Sequence, residues 1–377
     1  MLDLVSAKIR RDGPLALPDF LQLALYHPQL GYYARGATAV GKAGDFFTSV
    51  SVGPVFGRLL AERFRLWWLA NQRPERWRIV ELGAHDGSLA IDVLAALEEI
   101  EPAGFAALEY AIPEPLPALA AIQHQRVGAA FPNQFHASSL AELAAAPLPG
   151  VVIANELIDA LPFHLVRFNA GTWAERHVTI DPSGSLAWLD LAPSHAQLAA
   201  FCDCSLGQRF PDGYTTEVRL GTDKLLGRLA ATLTHGLVCL IDYGFARSDY
   251  YHPDRTTGTL RTFSRHRAAE DPLERPGELD ITAHVDFSAL LDSGIAAGLT
   301  PHLWSDQGRY LTTLAHDWLI AMETSSTLPA ALIRQFQTLT HPAHLGARFH
   351  VLELLKPPTD PGFSLTGNPI DALRTPD

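Results

Sequence analysis

A glycine-bearing loop at residues 80–89 carries the residue types that best suit ligand binding. Glu81 ends a short apolar run, Gly83 and Gly87 follow it, and His85 lies between the two glycines. Glycines let the backbone turn sharply at the end of a strand and let a ligand approach without a side chain in the way. The pattern is typical of a loop that holds a dinucleotide or a sulfonium cofactor, although a tight strand-to-helix turn without a ligand uses the same glycines.

Two acids extend this candidate cofactor site. Glu114 follows the next predicted strand, and an acid in that place can accept hydrogen bonds from both hydroxyls of a ribose. Glu81 can orient the ammonium group of a cofactor, while the free amides that open the following helix suit a carboxylate of the ligand. The alternative for Glu114 is a solvated loop acid.

A third polar cluster follows an apolar run at residues 151–154. It contains Asn155, Glu156 and Asp159, and Pro162 closes the turn. Acids beside an apolar strand are costly unless they meet cations. We therefore expect Glu156 and Asp159 to bind an amine or guanidinium group that accepts a transferred group. One of the two acids would then take the proton that this nitrogen loses. In the alternative, Asn155 caps a helix and Asp159 pairs with a structural arginine.

The segments that position these residues alternate between strands and helices. Apolar runs predict strands at 79–82, 108–112, 151–154, 237–241 and 349–355, and helical spacing predicts helices at 19–26, 54–69, 89–100, 117–125, 217–233 and 287–299. This alternation is typical of an α/β fold with a parallel, doubly wound sheet, helices on both faces, and the ligand at the carboxyl ends of the strands.

Four parts follow one another along the chain in this interpretation. Residues 1–72 are an N-terminal helical region, and 73–162 are the first half of the core. Period-two segments and turn residues predict an inserted, β-rich accessory region with a hairpin at 163–215. Residues 216–377 complete the core and include a long segment, 245–285, whose many prolines and glycines but also aromatic residues favour a folded lid.

Composition limits the classes of partner. Lys and Arg number 29 against 41 Asp and Glu, and the net charge of −12 repels phosphate backbones and anionic lipid surfaces. Three cysteines cannot build a disulfide framework, and they fit a reducing compartment. No second Cys or His pair accompanies Cys202 and Cys204, so no metal site is predicted. Without a basic, apolar leader or a run of about 18 apolar residues, we expect a cytoplasmic protein away from membranes.

Eight sequence blocks occur here in the order found in a known family. They are GPLALPDFLQLALYHPQLGYY near the start, GDFFTS at 44–49, the loop at Glu81, EPLPALAAIQ at 114–123, NELIDALP at 155–162, IDYG at 241–244, TLR at 259–261 and DITAHVDF at 280–287. Over nearly its whole length the chain resembles the MidA-like S-adenosylmethionine-dependent methyltransferases. That family includes a mitochondrial enzyme that methylates an arginine of a respiratory complex I subunit.

The resemblance implies a Rossmann-like class I methyltransferase core with a smaller accessory region, and S-adenosyl-L-methionine as cofactor. It also implies a protein acceptor that is methylated at an arginine nitrogen. A homodimer is left as an open possibility. The implied cofactor-binding residues are Gly44, Asp45, Phe46, Glu81, Gly83, His85, Gly87 and Glu114. The implied residues at the transfer site are Asn155, Glu156 and Asp159.

The resemblance also places part of the acceptor side on the segment 245–285. Arg261, Asp280 and His284 complete that side, without individual roles for each. His284 is a candidate general base, and the competing interpretation is a structural histidine with satisfied hydrogen bonds.

Two parts of the chain depart from the family pattern. The family loop commonly reads Glu-Leu-Gly-Pro-Gly-Arg-Gly-Thr-Leu, so Ala84, His85 and Asp86 all differ, and His85 stands at the middle glycine. After Thr-Ser, Val50-Ser51 replace Pro-Glu. A histidine tolerates a left-handed backbone better than a branched residue does, so we predict that its ring points out of the pocket and that the cofactor binds. The departures motivate a second hypothesis, a non-catalytic assembly or binding factor that keeps the fold. A nicotinamide-dependent dehydrogenase uses a similar sheet but lacks these blocks.

Overall fold

The computed structural model describes residues 1–35, 48–207, 209–264, 267–269, 271–323, 329–365 and 370–374. Within these residues the strands are β1 (Leu15–Ala16), β2 (Trp77–Leu82), β3 (Leu108–Ile112), β4 (Phe135–Ala137), β5 (Leu148–Asn155), β6 (His164–Asn169), β7 (Thr172–Ile180), β8 (Leu186–Leu191), β9 (Thr215–Val218), β10 (Leu233–Phe245), β11 (Arg261–Ser264), β12 (Arg267–Ala269), β13 (Asp280–Thr282), β14 (Val285–Asp286), β15 (Thr300–Asp306) and β16 (Phe349–Lys356).

The helices of the described chain are mostly short. They are α1 (Leu2–Asp12), α2 (Leu17–Tyr26), α3 (Ser49–Val52), α4 (Val55–Ala70), α5 (Ser88–Ile100), α6 (Pro102–Ala106), α7 (Pro117–Gln123), α8 (Leu140–Ala145), α9 (Ala196–Ala200), α10 (Thr222–Ala231), α11 (Arg247–Tyr250), α12 (Phe287–Ala296), α13 (Gln307–Leu314), α14 (His316–Glu323) and α15 (Ala330–Thr340). None of these helices has the length and apolar character that a membrane crossing requires.

The core unit comprises the described parts of residues 47–158, 222–244 and 286–377. Its strands lie in the order β15-β16-β10-β5-β2-β3-β4. Strands β2, β3, β4, β5 and β10 are parallel, and β16 is antiparallel to both of its neighbours. From β2 the chain proceeds outward through β3 and β4 and then returns to the other side at β5. A topological switch point therefore lies between β2 and β5.

Burial explains why the central strands read as apolar runs. All six residues of β2 are buried, and the last six residues of β5 are buried too, because helices cover both faces of a parallel sheet. The covering helices pack as two groups, α4 with α5, α13 and α15, and α10 with α8 and α12. The predicted α/β fold with a Rossmann-like, doubly wound sheet is confirmed.

The accessory unit comprises the described parts of residues 1–46, 159–221 and 245–285. Its main sheet has the order β1-β7-β6-β9, with β8 paired to β7, and all of these pairs are antiparallel. Helices α1 and α2 bury Val5, Phe20 and Leu21 against Val178 of β7 and its neighbours in one apolar cluster. The first two helices of the predicted N-terminal region thus share a core with the inserted hairpin, whereas α4 packs in the core unit.

One predicted helix differs from the structure. The helix predicted at 217–233 begins only at Thr222, and Glu217 lies in strand β9. The Glu217 carboxylate is buried and accepts hydrogen bonds from the amides of Thr259 and Leu260, a tertiary contact that overrides local helical spacing. The segment 245–285, predicted as a folded lid, contains α11 and a sheet of order β12-β11-β13 among its described residues, and its role as a lid stays a prediction.

Candidate active site

The switch point of the core unit brings together polar residues from neighbouring strands. Glu81 lies near the end of β2 opposite Ile153 of β5, and Asn155 ends β5 opposite Ile241 of β10. Asp242, the next residue of β10, is fully buried, and its Oδ2 accepts a hydrogen bond of 2.9 Å from the amide of Ile158. These side chains line the carboxyl edge of the sheet, where an open α/β fold binds its ligand.

The loop after β2 takes the conformation that its glycines permit. Gly83 and Gly87 have φ angles of 68° and 79°, and the Gly87 amide donates a hydrogen bond of 2.8 Å to the carbonyl of Ala84. Any side chain at Gly87 would collide with Cγ2 of Val127, and a Cβ at Gly83 would lie 3.0 Å from Cδ1 of Leu157. Gly87 is therefore required by backbone angle and by space, and Gly83 mainly by its backbone angle.

His85 adopts the left-handed conformation in spite of its side chain. Its φ angle is 47°, so the loop keeps a glycine-like backbone at the position where the family pattern has glycine. Its Nδ1 lies 4.0 Å from Oδ1 of Asp86, and burial is the main cause that lowers the pKa of the imidazole. That the ring points away from the cofactor stays a prediction.

Glu81 is a buried acid held by a buried tyrosine. Its side chain is 3% exposed, and Oε2 accepts a hydrogen bond of 2.7 Å from the hydroxyl of Tyr110 in β3. Burial raises the pKa of Glu81 to about 7, and the hydrogen bond from Tyr110 opposes that rise. A carboxylate in this state gains from a bound cation, which agrees with the ammonium contact predicted from the sequence.

Glu114 follows β3 and is fixed through both carboxylate oxygens. Oε1 accepts a hydrogen bond of 2.9 Å from the amide of Leu116, and Oε2 accepts one of 3.2 Å from Nε2 of Gln123. Burial raises the pKa of Glu114, and these two donors oppose the rise. Sequence reasoning missed the part played by Gln123, although this residue ends the block that begins at Glu114.

Asn155 is the last residue of β5, and Glu156 follows it directly. Glu156 has a φ of 50°, and its Oε1 accepts hydrogen bonds from the amide of Ser49 at 3.1 Å and from Nδ2 of Asn155 at 3.3 Å. Asn155 does not cap a helix, because a turn follows it. Its Oδ1 is buried and has no hydrogen-bond partner among the described residues. An orphaned acceptor of this kind is available to a ligand that brings a donor.

Ser51 has a local structural role in place of the acid of the family pattern. The amide of Ser51 donates to Oγ1 of Thr48 at 3.1 Å, and the amide of Thr48 donates to Oγ of Ser51 at 3.0 Å. This reciprocal pair is a capping box, in which the third helical residue is usually Glu or Gln. The serine at this position preserves the start of α3.

Asp159 belongs to the accessory unit, and its side chain is 5% exposed. The sequence left open that a structural arginine pairs with it. Arg219 does lie nearby, but its Nη2 donates to the main-chain carbonyl of Asp159 at 3.0 Å and to that of Ala283 at 3.3 Å. The guanidinium thereby joins the NELIDALP and DITAHVDF blocks. Arg219 is a second residue that sequence reasoning missed.

The remaining predicted residues fall in three places. Asp280 is buried in β13, where its Oδ1 accepts a hydrogen bond of 2.8 Å from the hydroxyl of Tyr33. Burial, together with the charges of Arg255, Arg261 and Arg219, lowers the pKa of His284 to about 4. Such a neutral, weakly basic imidazole favours the structural interpretation of His284. The predicted residues Gly44, Asp45 and Phe46 lie outside the described residues.

Comparison with known proteins agrees with this geometry. Residues 59–304 match a family described as S-adenosyl-L-methionine-dependent methyltransferase. The Danio rerio "Protein arginine methyltransferase NDUFAF7, mitochondrial" is 28% identical over 378 residues, which cover 93% of this chain and 86% of that protein. The Homo sapiens protein of the same name is 27% identical, with coverage of 94% and 83%.

A solved structure extends the comparison to the whole fold. The crystal structure of a Burkholderia thailandensis protein bound to S-adenosyl-homocysteine has a TM-score of 0.83 and 31% sequence identity, and the match covers 96% of this chain and 92% of that chain. A native crystal structure of a Burkholderia thailandensis protein matches with a TM-score of 0.81 and 30% identity.

The relatives correct one prediction from the sequence. The Danio rerio, Drosophila melanogaster and Homo sapiens proteins are all named as mitochondrial, which contradicts the predicted cytoplasmic location. That prediction was wrong because it rested on negative evidence. A small number of cysteines fits any reducing compartment and does not point to one of them.

The core unit offers what S-adenosyl-L-methionine requires. The cofactor carries an ammonium group, a carboxylate and two ribose hydroxyls, and the buried Glu81 carboxylate and the orphaned Oδ1 of Asn155 suit a ligand with positive charge and donors. Gly83 and Gly87 leave the loop free of side chains at two points where a Cβ would meet Leu157 or Val127. The strand order, the geometry of the glycine loop and the family match over residues 59–304 point to the same conclusion. The chain belongs to the family of S-adenosyl-L-methionine-dependent methyltransferases.

Proposed function

We propose that this enzyme transfers the methyl group of S-adenosyl-L-methionine to a nitrogen of an arginine side chain in a protein. The Danio rerio and Homo sapiens relatives are named protein arginine methyltransferases. That name implies that the molecule they methylate is a protein. The observation on this chain that carries the proposal is a pair of buried acids in the accessory unit, Asp159 and Asp280, which are 5% and 4% exposed.

These two acids lie around one tyrosine. Burial is the largest cause that raises the pKa of Tyr33, and the charges of Asp280 and Asp159 raise it further, so both carboxylates act on the same phenol. The ring of Tyr26 lies 5.4 Å from that of Tyr33. Carboxylates and aromatic faces both attract a guanidinium, so the chemistry of this cluster suits an arginine side chain.

The cofactor side of the proposal uses the core unit. The cofactor would be held by the backbone of Gly83, His85 and Gly87. Glu81 would bind its ammonium group, and Glu114 would bind its ribose. Asn155 and Glu156 would lie beside the group that is transferred. Gly44, Asp45 and Phe46 remain proposed cofactor-binding residues through the sequence resemblance.

The residues of the chain then have three tasks. When bound, the cofactor supplies an electrophilic methyl group on a positively charged sulfur. Asp159 and Asp280 hold the guanidinium by charged hydrogen bonds, which fixes the direction of its attacking nitrogen. A carboxylate of the pair accepts the proton that this nitrogen loses. Because both acids are buried, the hydrogen bonds that they would make to the guanidinium are shielded from water.

Mass spectrometry of proteins that co-purify with the wild-type chain and with Asp159→Ala tests the proposal. We expect arginine methylation with the wild type and a loss of at least roughly a hundredfold with Asp159→Ala, while the cofactor Kd changes by less than about twofold. Asp203→Ala is the matched control, since Asp203 is an exposed acid of the same unit. Equal activity of Asp159→Ala would remove Asp159 from the site, and methylation of another residue type would overturn the choice of arginine.

A homodimer stays a prediction. Light scattering of the full chain after size-exclusion chromatography would check it. The net charge of −12 supports a protein rather than a nucleic acid as the macromolecular partner.

A further inference from the structure

We propose that Gln123 is a positioning residue of the cofactor site, because a single amide group holds both the glycine loop and the ribose-binding acid. Gln123 ends α7 and is 1% exposed. Its Nε2 donates one hydrogen bond of 2.8 Å to the main-chain carbonyl of His85 and another of 3.2 Å to Oε2 of Glu114. The inference rests on the proposed contact between Glu114 and the cofactor ribose.

The first of these hydrogen bonds acts on the residue that departs from the family pattern. At φ 47°, His85 has a backbone conformation that is unfavourable for any residue with a side chain. A glycine would take this conformation without cost. The bond from Gln123 to the His85 carbonyl stabilises the left-handed backbone from outside the loop. Gln123 therefore offsets part of the cost of having histidine at this position.

The second hydrogen bond fixes the direction of an acid. Because the Leu116 amide holds Oε1 of Glu114 and Gln123 holds Oε2, the carboxylate is held at both oxygens. Burial raises the pKa of Glu114, whereas donors to the carboxylate favour its ionised form. Ionised and oriented, Glu114 can accept hydrogen bonds from both hydroxyls of a ribose.

One nitrogen couples these two effects. A side-chain amide has two N–H donors, and Gln123 uses Nε2 for both contacts. A movement of α7 would therefore displace the loop and the acid together. The two halves of the cofactor site, which lie about 30 residues apart in the sequence, are connected through this side chain.

Calorimetric titration with S-adenosyl-homocysteine tests the inference without relying on turnover. We expect Gln123→Met to weaken the Kd about tenfold, because two buried hydrogen bonds are lost while the side-chain volume is kept. Gln125→Met is the matched control on the next, exposed glutamine, and it should leave the Kd unchanged. In a His85→Gly background, the factor by which Gln123→Met weakens the Kd should be smaller by at least about threefold. Glycine adopts the left-handed backbone without the hydrogen bond from Gln123.

A second variant and a test of Glu114 separate the possible failures. Gln123→Glu keeps the size but places a carboxylate against Glu114, so it should bind at least about threefold more weakly than Gln123→Met, and circular dichroism would verify that both fold. Glu114→Gln alone should weaken binding; if it does not, the proposed ribose contact fails. If Glu114→Gln weakens binding but Gln123→Met does not, the positioning role is overturned. It is also overturned if Gln123→Met weakens the Kd by the same factor whether residue 85 is histidine or glycine.

Discussion

The hydroxyl of Tyr110 donates a 2.7 Å hydrogen bond to Oε2 of Glu81, and both side chains are buried in the core unit. Burial raises the pKa of the Glu81 carboxyl to about 7, and the bond from Tyr110 limits the rise by stabilising the ionised form. The Glu81 carboxyl is therefore partly ionised and partly protonated near neutral pH. Tyr110 therefore favours the ionised form of Glu81, the form that the proposed ammonium contact needs.

This balance predicts a pH dependence of cofactor binding. Since the ammonium group needs the ionised carboxylate, affinity should fall as the pH drops through about 7. Tyr110→Phe removes the donor that favours ionisation and should move the midpoint upward by roughly one pH unit. Calorimetry from about pH 6 to about pH 9 would measure both midpoints. Glu81→Gln is the control that should abolish the midpoint, and an unchanged midpoint in Tyr110→Phe would contradict the assignment.

Gly87 should be intolerant of a side chain for two separable reasons. Its φ of 79° disfavours any other residue by about 1 kcal/mol, and a Cβ would collide with Val127. Gly171 has the same φ with open space around it, so Gly171→Ala reports the cost of the angle alone. We expect Gly87→Ala to reduce the free energy of unfolding by about 3 kcal/mol and Gly171→Ala by about 1 kcal/mol in urea denaturation.

Val127→Ala provides the second half of that experiment. Combined with Gly87→Ala it removes the methyl group that the new side chain meets, so the double variant should be more stable than the sum of the single changes predicts. If the two changes in the free energy of unfolding simply add, the collision with Val127 does not contribute to the cost of Gly87→Ala.

His85→Gly tests where the imidazole points. Glycine removes the cost of the left-handed backbone, of the order of 1 kcal/mol, but raises the entropy of the unfolded chain by a similar amount, so stability should change little. If the ring points away from the cofactor, the Kd for S-adenosyl-L-methionine should stay within about threefold of wild type. A tightening of about tenfold or more would mean that the ring occupies part of the methionine pocket.

The buried pair of Arg63 and Glu353 should be important for stability. Arg63 Nε and Nη2 donate to the two carboxylate oxygens at 2.7 and 3.0 Å, and both side chains are fully buried. Arg63→Met leaves a buried charge without its partner and should cost about 3–5 kcal/mol. Arg58→Met is the control, because the exposed pair of Arg58 and Glu99 should contribute less than about 1 kcal/mol.

The same pair gives stability a defined pH dependence. Burial raises the pKa of Glu353, but the charge and hydrogen bonds of Arg63 outweigh it and lower the pKa below 4.5. A lowered carboxyl pKa stabilises the folded state above the unfolded value and loses that contribution as the pH falls through the folded value. Acid unfolding of the wild type should therefore steepen below about pH 4.5, and the double change of Arg63→Met with Glu353→Leu should remove this part of the transition.

The sequence by itself determined the sheet and the position of the cofactor loop. Apolar runs such as the one before Glu81 and helical spacing after Gly87 are local patterns, and their alternation leaves few topologies besides a doubly wound parallel sheet. The acids at strand ends, including Glu114, were found because carboxyl ends of parallel strands share an edge. Helical spacing failed at Glu217, where a buried carboxylate binds the amides of residues more than 40 positions away.

Only the tertiary structure decided how the site residues are held. Gln123 bridges His85 and Glu114, and Arg219 binds the carbonyls of Asp159 and Ala283, but nothing in the local spacing of either residue indicates its partners. Sequence patterns report which face of an element is apolar, whereas a buried hydrogen bond depends on where two distant segments meet. The chemistry could therefore be read from the residue types, and the geometry that supports it required the packed chain.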